Sequence, residues 1–307
     1  MYKIFLLLFL TITFAISNSI ITPLPMNPKY NYKKALLGKK LFFDTRLSHD
    51  NTISCASCHL LKEGGDDNIP VSIGIAGKKG TRNAPTVLNA RYNKLQFWDG
   101  NAKTLEEQVK GPIHNQIEMA SNFKEIISKL KKDEKYHKEF TDLYSNGITS
   151  FSITNAISEF EKALTTPDSK FDNYLRGDKT ALNTNELNGY QLFKDYGCIS
   201  CHNGINIGGN LLQKIGTIEE YDTSDFGLYN ITKNNEDKFY FKASSLRNVE
   251  LTAPYFHDGS IETLEAAVNI MIKHQVGFLI DEKERADIIK FLKTLTGKTP
   301  EFLRENK

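Results

Sequence analysis

The pentads Cys55-Ala56-Ser57-Cys58-His59 and Cys198-Ile199-Ser200-Cys201-His202 both read Cys-x-x-Cys-His. The chain has four Cys, and these two stretches use all of them. A bare Cys-x-x-Cys suits a redox dithiol or half of a zinc site, and the pair together could make one all-cysteine zinc site. None of those uses needs a His directly after the second Cys, and both copies have one. Two thiols at this spacing can each bond one vinyl group of a porphyrin, with the adjoining His placed to ligate the iron. The pattern therefore points to two covalently bound c-type haems. A chain of 307 residues is long enough to enclose them in two domains with real cores.

The approach to each pentad is also repeated. Gly38-x-x-Leu41-Phe42-x-Asp44 precedes the first, and Gly189-x-x-Leu192-Phe193-x-Asp195 precedes the second. The latter lies on an expected helix that Asn183 caps, with Glu186 answering. A longer echo follows. Phe97-Trp98-Asp99-Gly100-x-x-x-Thr104-Leu105-Glu106-x-x-Val109 matches Phe256-His257-Asp258-Gly259-x-x-x-Thr263-Leu264-Glu265-x-x-Val268, and an Ala-Pro step precedes each. The chain reads as a duplicated unit whose halves have diverged. Apolar residues at helical spacing predict helices over 32–43, 123–144 and 153–164. Pro167 stops the last of these, which puts the boundary between 20–166 and 167–307. Strand-like stretches are few and short, and the Gly- and Asn-rich piece from 204 to 237 reads as a long loop.

At the N-terminus, Lys3 is followed by an apolar run over 4–16 and small polar residues to Ser19. The run is short for a spanning helix, which needs about 20 residues. It is expected to be a signal peptide over 1–19, with an uncleaved anchor as the alternative; only then would the protein touch a membrane. Export agrees with haem attachment outside the bacterial cytoplasm and places the protein in the periplasm. The formal charge of +2 leaves no nucleic-acid footprint.

The second axial position of each iron decides the job: a Met suits electron transfer, an open position admits peroxide. In the second half, Met271 stands three residues past Val268; core packing is its alternative use. In the first half, Pro112 takes the place of Met271, and Gln108 that of Ala267. The same segment brings Glu118. A carboxylate over an open haem can take a proton from peroxide and return it to the departing oxygen; the bland alternative is a solvated acid. Trp98, whose repeat partner is His257, is either a core aromatic or an electron relay between haems.

These residues resemble the bacterial di-haem cytochrome c peroxidases, within the wider family that includes the tryptophylquinone-forming enzyme MauG. The resemblance runs from about residue 34 to 302. It is carried by the two pentads, by residues 83–90, 96–100, 108–119 and 245–249, and by Leu251-Thr252-Ala253-Pro254-Tyr255-Phe256-His257-Asp258-Gly259. It implies a mainly α protein of two cytochrome-c-like haem domains with long loops and little β structure. The haem on His59 would be peroxidatic, with Glu118 and Gln108 above it. The haem on His202 and Met271 would receive electrons, and Trp98 would sit between the two. Calcium would be held by the Asn83 side chain and the carbonyls of Thr252 and Pro254, with waters completing the set. His257 and Arg247 would lie near haem propionates. Hydrogen peroxide, a small periplasmic cytochrome c donor and a homodimer complete the expectation.

Two comparisons sharpen it. The MauG branch has a Tyr where this chain has Met271, which favours the peroxidase over an oxidase of protein side chains. Many of these peroxidases carry a His in the loop after the first pentad that closes the peroxidatic iron until the other haem is reduced. Ile75 takes that place here, and no His lies between His59 and His114. The peroxidatic haem is thus expected open in the oxidised protein; two low-spin signals instead would point to His114 or Met119 as a substitute ligand. A pure di-haem electron carrier would lack Gln108 and Glu118, and a zinc module would lack haem altogether.

Overall fold

Asn31 accepts a hydrogen bond from the Lys34 amide, and helix α1 (Tyr32–Phe42) begins there. An oxygen at the N-cap satisfies one of the orphan amides of a first helical turn. The computed structural model describes residues 20–305, so the expected signal peptide lies outside the described residues. The chain continues through α2 (Leu105–Gln108), α3 (Lys110–His114), α4 (Phe123–Leu130), α5 (Glu134–Leu143) and α6 (Ser150–Ala163). Next come α7 (Lys170–Leu175), α8 (Thr184–Asp195), β1 (Leu212–Lys214), α9 (Tyr229–Thr232) and β2 (Tyr240–Lys242). Last are α10 (Leu264–Met271), α11 (Glu282–Lys293) and α12 (Glu301–Glu305). β1 and β2 pair antiparallel, with Gln213 opposite Phe241. The fold is mainly helical, as expected.

The predicted helix over 123–144 is two helices. Asp133 accepts from the amides of Lys135 and Tyr136, capping α5 and breaking the run. The predicted loop over 204–237 contains β1 and α9. Among the described residues, no helix is long and apolar enough to cross a membrane.

Two helix pairs organise the interior. α1 lies against α6 with Gly38 at the contact: a Cβ there would stand 1.8 Å from the Ala156 carbonyl oxygen. α8 lies against α11 in the same manner, and a Cβ at Gly189 would stand 1.9 Å from the Asp287 carbonyl oxygen. Backbones that approach this closely admit only glycine. The first pair packs on a core that includes Leu41, Phe42, Phe140 and Phe160. The second packs on one that includes Phe171, Phe193, Ile207 and Phe291.

The two ends of the described residues cross between these cores. Ile21 precedes α1 yet belongs to the second core, and Phe302 of α12 packs in the first. A buried ion pair ties the leading segment down. Arg247 Nη1 lies 3.0 Å from Asp172 Oδ1, and the side chains are 1% and 0% exposed. Arg247 Nη2 donates to the Thr22 carbonyl and Nε to that of Ile205, while the Leu24 amide donates to Asp172 Oδ1. Removing one partner of such a pair leaves a buried charge, at a cost of about 3–5 kcal/mol.

Candidate functional site

Each Cys-x-x-Cys forms a single 3-10 turn, Cys55–Ser57 and Cys198–Ser200. In that geometry, residues i and i+3 eclipse, so both thiols of a pentad face one side. All four thiols are free and half-buried. The following His is held alike in both copies. His59 Nδ1 pairs with the Gly65 carbonyl at 3.0 Å, and His202 Nδ1 with the Ser244 carbonyl at 3.0 Å. A carbonyl acceptor fixes the proton on Nδ1 and leaves Nε2 as the bare, ligating nitrogen. Burial pushes both imidazoles down, toward the neutral form a metal requires. These residues fit a covalent haem at each turn.

Beside the second turn lies a cavity of about 500 Å³, within the range of cofactor pockets. Cys198, Cys201, His202 and Met271 all line it. α10 ends at Met271 and runs directly into a π-turn over Ile272–Val276. The turn is strapped down by the preceding loop, with the Ile218 amide on the His274 carbonyl and His274 Nδ1 on the Glu219 carbonyl. Met271 is thus brought to the same cavity as His202 on an anchored element.

The first turn has a different neighbour. Burial pushes the Cys58 thiol up to about 11, with the charges of Asp67 and Glu118 adding to it. Glu118 itself is held above the ordinary glutamate value by burial, against a 2.6 Å hydrogen bond from Asn115 Nδ2 to its Oε1. The loop bearing Ile75 packs on the same segment, and Ile75 is 6% exposed. Gln108 is half-buried at the end of α2. His114 is exposed, its Nδ1 on the Lys110 carbonyl, and Met119 is 3% exposed within the first core.

Trp98 and its counterpart in the repeated stretch, His257, meet. Their rings are 6.4 Å apart at 71°, and both line the cavity. Trp98 Nε1 donates to the Asn83 carbonyl at 2.9 Å, and the Asn83 amide donates to the His257 carbonyl at 2.8 Å. His257 stacks on Phe241 at 4.2 Å, and its Nε2 pairs with Thr223 Oγ1. Asn83, Thr252 and Pro254 line the same cavity. Asn83 Nδ2 donates to the Ile69 carbonyl, which leaves its Oδ1 for a cation. Oxygen donors of this kind fit calcium.

Arg247 stands apart. It does not line the cavity, and its guanidinium is engaged by Asp172, Ile205 and Thr22. Two residues that sequence reasoning passed over do line it. Lys242 is 6% exposed, and burial pushes its ammonium down to about 8 against the pull of Asp99. A buried ammonium in a haem-sized cavity fits a propionate. The second is Asp66, 1% exposed, with neither carboxylate oxygen hydrogen-bonded. The only signal for Lys242 was its place on an otherwise aromatic strand.

The profile of the family described as di-haem cytochrome c peroxidase matches residues 32–180. Cytochrome c551 peroxidase of Nitrosomonas europaea is 47% identical over 289 residues, covering 93% of this chain and 86% of that relative. Cytochrome c peroxidase Ccp of Escherichia coli (strain K12) is 45% identical over 94% of this chain, and the chain spans 63% of that relative's length. A crystal structure of a MauG-like protein associated with microbial copper homeostasis aligns with a TM-score of 0.79 at 29% identity, over 92% of this chain and 95% of that one. With two Cys-x-x-Cys-His turns built alike and nearly half its residues shared with a peroxidase along most of both lengths, the chain belongs to the di-haem cytochrome c peroxidase family.

Proposed function

We propose that the protein reduces hydrogen peroxide to two waters, using two protons and two electrons delivered one at a time by a small c-type cytochrome. One observation carries this: His202 shares its cavity with Met271, whereas the segment acting on Cys58 presents Glu118 and Ile75. When bound, the two c-type haems supply the redox chemistry, electron entry on the His202 side and peroxide reduction on the His59 side. His59 and His202 would hold the irons through Nε2, and the four Cys would hold the porphyrins.

The chain's own contribution is proton handling and positioning. Glu118 accepts a proton from peroxide and returns it to the departing oxygen, as general base and then acid. Its raised pKa serves both directions, because the group is neither too weak a base nor too strong an acid. Asn115 fixes one carboxylate oxygen and leaves the other for peroxide. Gln108 orients peroxide or water with its amide. Ile75 closes the wall with an alkyl group that cannot ligate iron. Trp98, in contact with His257, relays electrons across the junction. His257 and Lys242, which line the cavity, would meet the propionates of the second haem. Asn83 Oδ1 and the carbonyls of Thr252 and Pro254 would hold calcium at that junction. Met271, in place of the MauG-branch Tyr, sets the reading against a side-chain oxidase.

The two halves, 20–166 and 167–307, arose by internal duplication. The matched glycine contacts support this, as do the matched left-handed residues Asn89 and Asn248, and Phe97 and Phe256. A signal peptide over 1–19, a periplasmic location and a homodimer complete the reading. Peroxide titration of the oxidised protein, before and after one electron per molecule, tests it with electron-spin resonance alongside. A high-spin ferric signal and turnover without prior reduction are expected. Two low-spin signals with no turnover in either state would overturn it.

A further inference from the structure

Asp66 is a buried carboxylate with no hydrogen-bond partner for either oxygen. Unpaired, such a group is costly enough that proteins match it with a proton, a cation or a hydrogen-bond donor. A carbonyl oxygen crowds it from one side, and its own backbone amide is the one donor acting on it. A Cβ at Gly64 would stand 2.8 Å from Asp66 Oδ1 and 2.4 Å from the Leu251 carbonyl oxygen, so both oxygens crowd one point. Leu251 leads directly into Thr252 and Pro254, and Asp66, Asn83, Thr252 and Pro254 line one cavity. Among the described residues that line that cavity, Asp66 is the one carboxylate.

Resting on the calcium site of the proposed function, we infer that Asp66 is this chain's anionic ligand to that cation, direct or through one water. It thereby ties the loop after the first Cys-x-x-Cys-His to the Leu251–Pro254 segment of the other half. Hard divalent cations take carboxylate and carbonyl oxygens together, and ligand charge sets their affinity. The competing occupant is a proton: a neutral Asp66 would donate its O–H to a nearby carbonyl.

Calorimetric titration of the chelator-treated holoprotein with calcium chloride separates these, alongside melting curves with and without calcium. Asp66→Asn keeps the side chain's shape and removes its charge. Calcium affinity is expected to fall at least tenfold in that variant. The calcium-induced rise in Tm should shrink with it, while both haems remain attached. Asn83→Ala should weaken calcium as well. Equal calcium affinity in wild type and Asp66→Asn, with Asn83→Ala weakened, would overturn the role of Asp66 and leave the site standing. A wild-type protein that binds no calcium would overturn both. Should Asp66→Asn fail to fold, Asp66→Glu decides: affinity retained within a few-fold supports the carboxylate ligand, and loss to the level of Asn83→Ala overturns it.

Discussion

The amide of Ile75 donates to the carbonyl of Glu118 at 2.8 Å. The contact is close on both sides, since a Cβ at the neighbouring Gly74 would stand 2.1 Å from the Ile117 carbonyl oxygen. The loop after the first pentad is therefore fastened to the segment that carries the proposed base. A ligand placed at position 75 would be delivered to the same pocket on a backbone already anchored. Ile75→His is expected to convert the oxidised protein from a high-spin to a low-spin signal at the first haem and to make turnover depend on prior reduction. Electron-spin resonance and a peroxide assay check both.

Glu118→Gln should lower peroxide turnover about 10²-fold or more, the usual share of a general acid–base. Both haems should stay attached, because no attachment residue is touched. The base must be ionised to act, and burial holds Glu118 above the ordinary glutamate value. Turnover should thus fall as pH drops through a pKa above that value, and this acid limb should vanish in the Gln variant. A pH profile of kcat/KM for both proteins measures it.

Met271→Ala should lower the potential of one haem and leave the other in place. Axial ligands span roughly 0.8 V among haem proteins, and a thioether lies toward the positive end. A redox titration followed in the Soret region reads the two centres separately. Two unmoved potentials would remove Met271 from the iron.

Glu161 gives stability a pH dependence of its own. It is 4% exposed, and burial pushes its carboxyl up to about 8, with Glu106 adding to it. Its Oε2 has no hydrogen-bond partner. The folded pKa exceeds the unfolded one, so its contribution is fully present below about pH 4.3 and is lost as pH rises to about 8. Glu161→Gln should be more stable than wild type by on the order of 3 kcal/mol at pH 8, with the difference shrinking toward pH 5. Denaturant melts at three pH values check this, and parallel curves would count against it.

The two helix-contact glycines should respond alike. Ala is the better helix former by about 1 kcal/mol, which alone would make Gly38→Ala and Gly189→Ala stabilising. Each new methyl meets a carbonyl within 2 Å, and overpacking costs about 1–3 kcal/mol or more. The steric effect wins, so each variant should melt earlier than wild type in thermal unfolding.

What could be read from sequence was what is local. The Cys-x-x-Cys-His pentads are legible because all their residues lie in one short stretch, and the cap of α8 by Asn183 and Glu186 stands as read. Asp133 also carried a local cap signal, and reading it would have split 123–144 correctly. Lys242 and Asp66 were missed because what makes them unusual is burial by segments far away in the chain. Arg247 shows the same limit from the other side, since only the fold reveals that Asp172 and the leading segment occupy its guanidinium. Nothing near Ile21 or Phe302 in the sequence says that each belongs to the opposite core.

That exchange has a consequence for the order in which the molecule can be finished. Ile21 is made early, but its socket is built from residues as late as Leu295. Phe302 is made after both helix pairs and lodges among residues of α1 and α6, which until then lack their stopper. Neither chamber can be sealed by its own stretch of polypeptide, and trimming either tip would unseal the far chamber while leaving the near one closed.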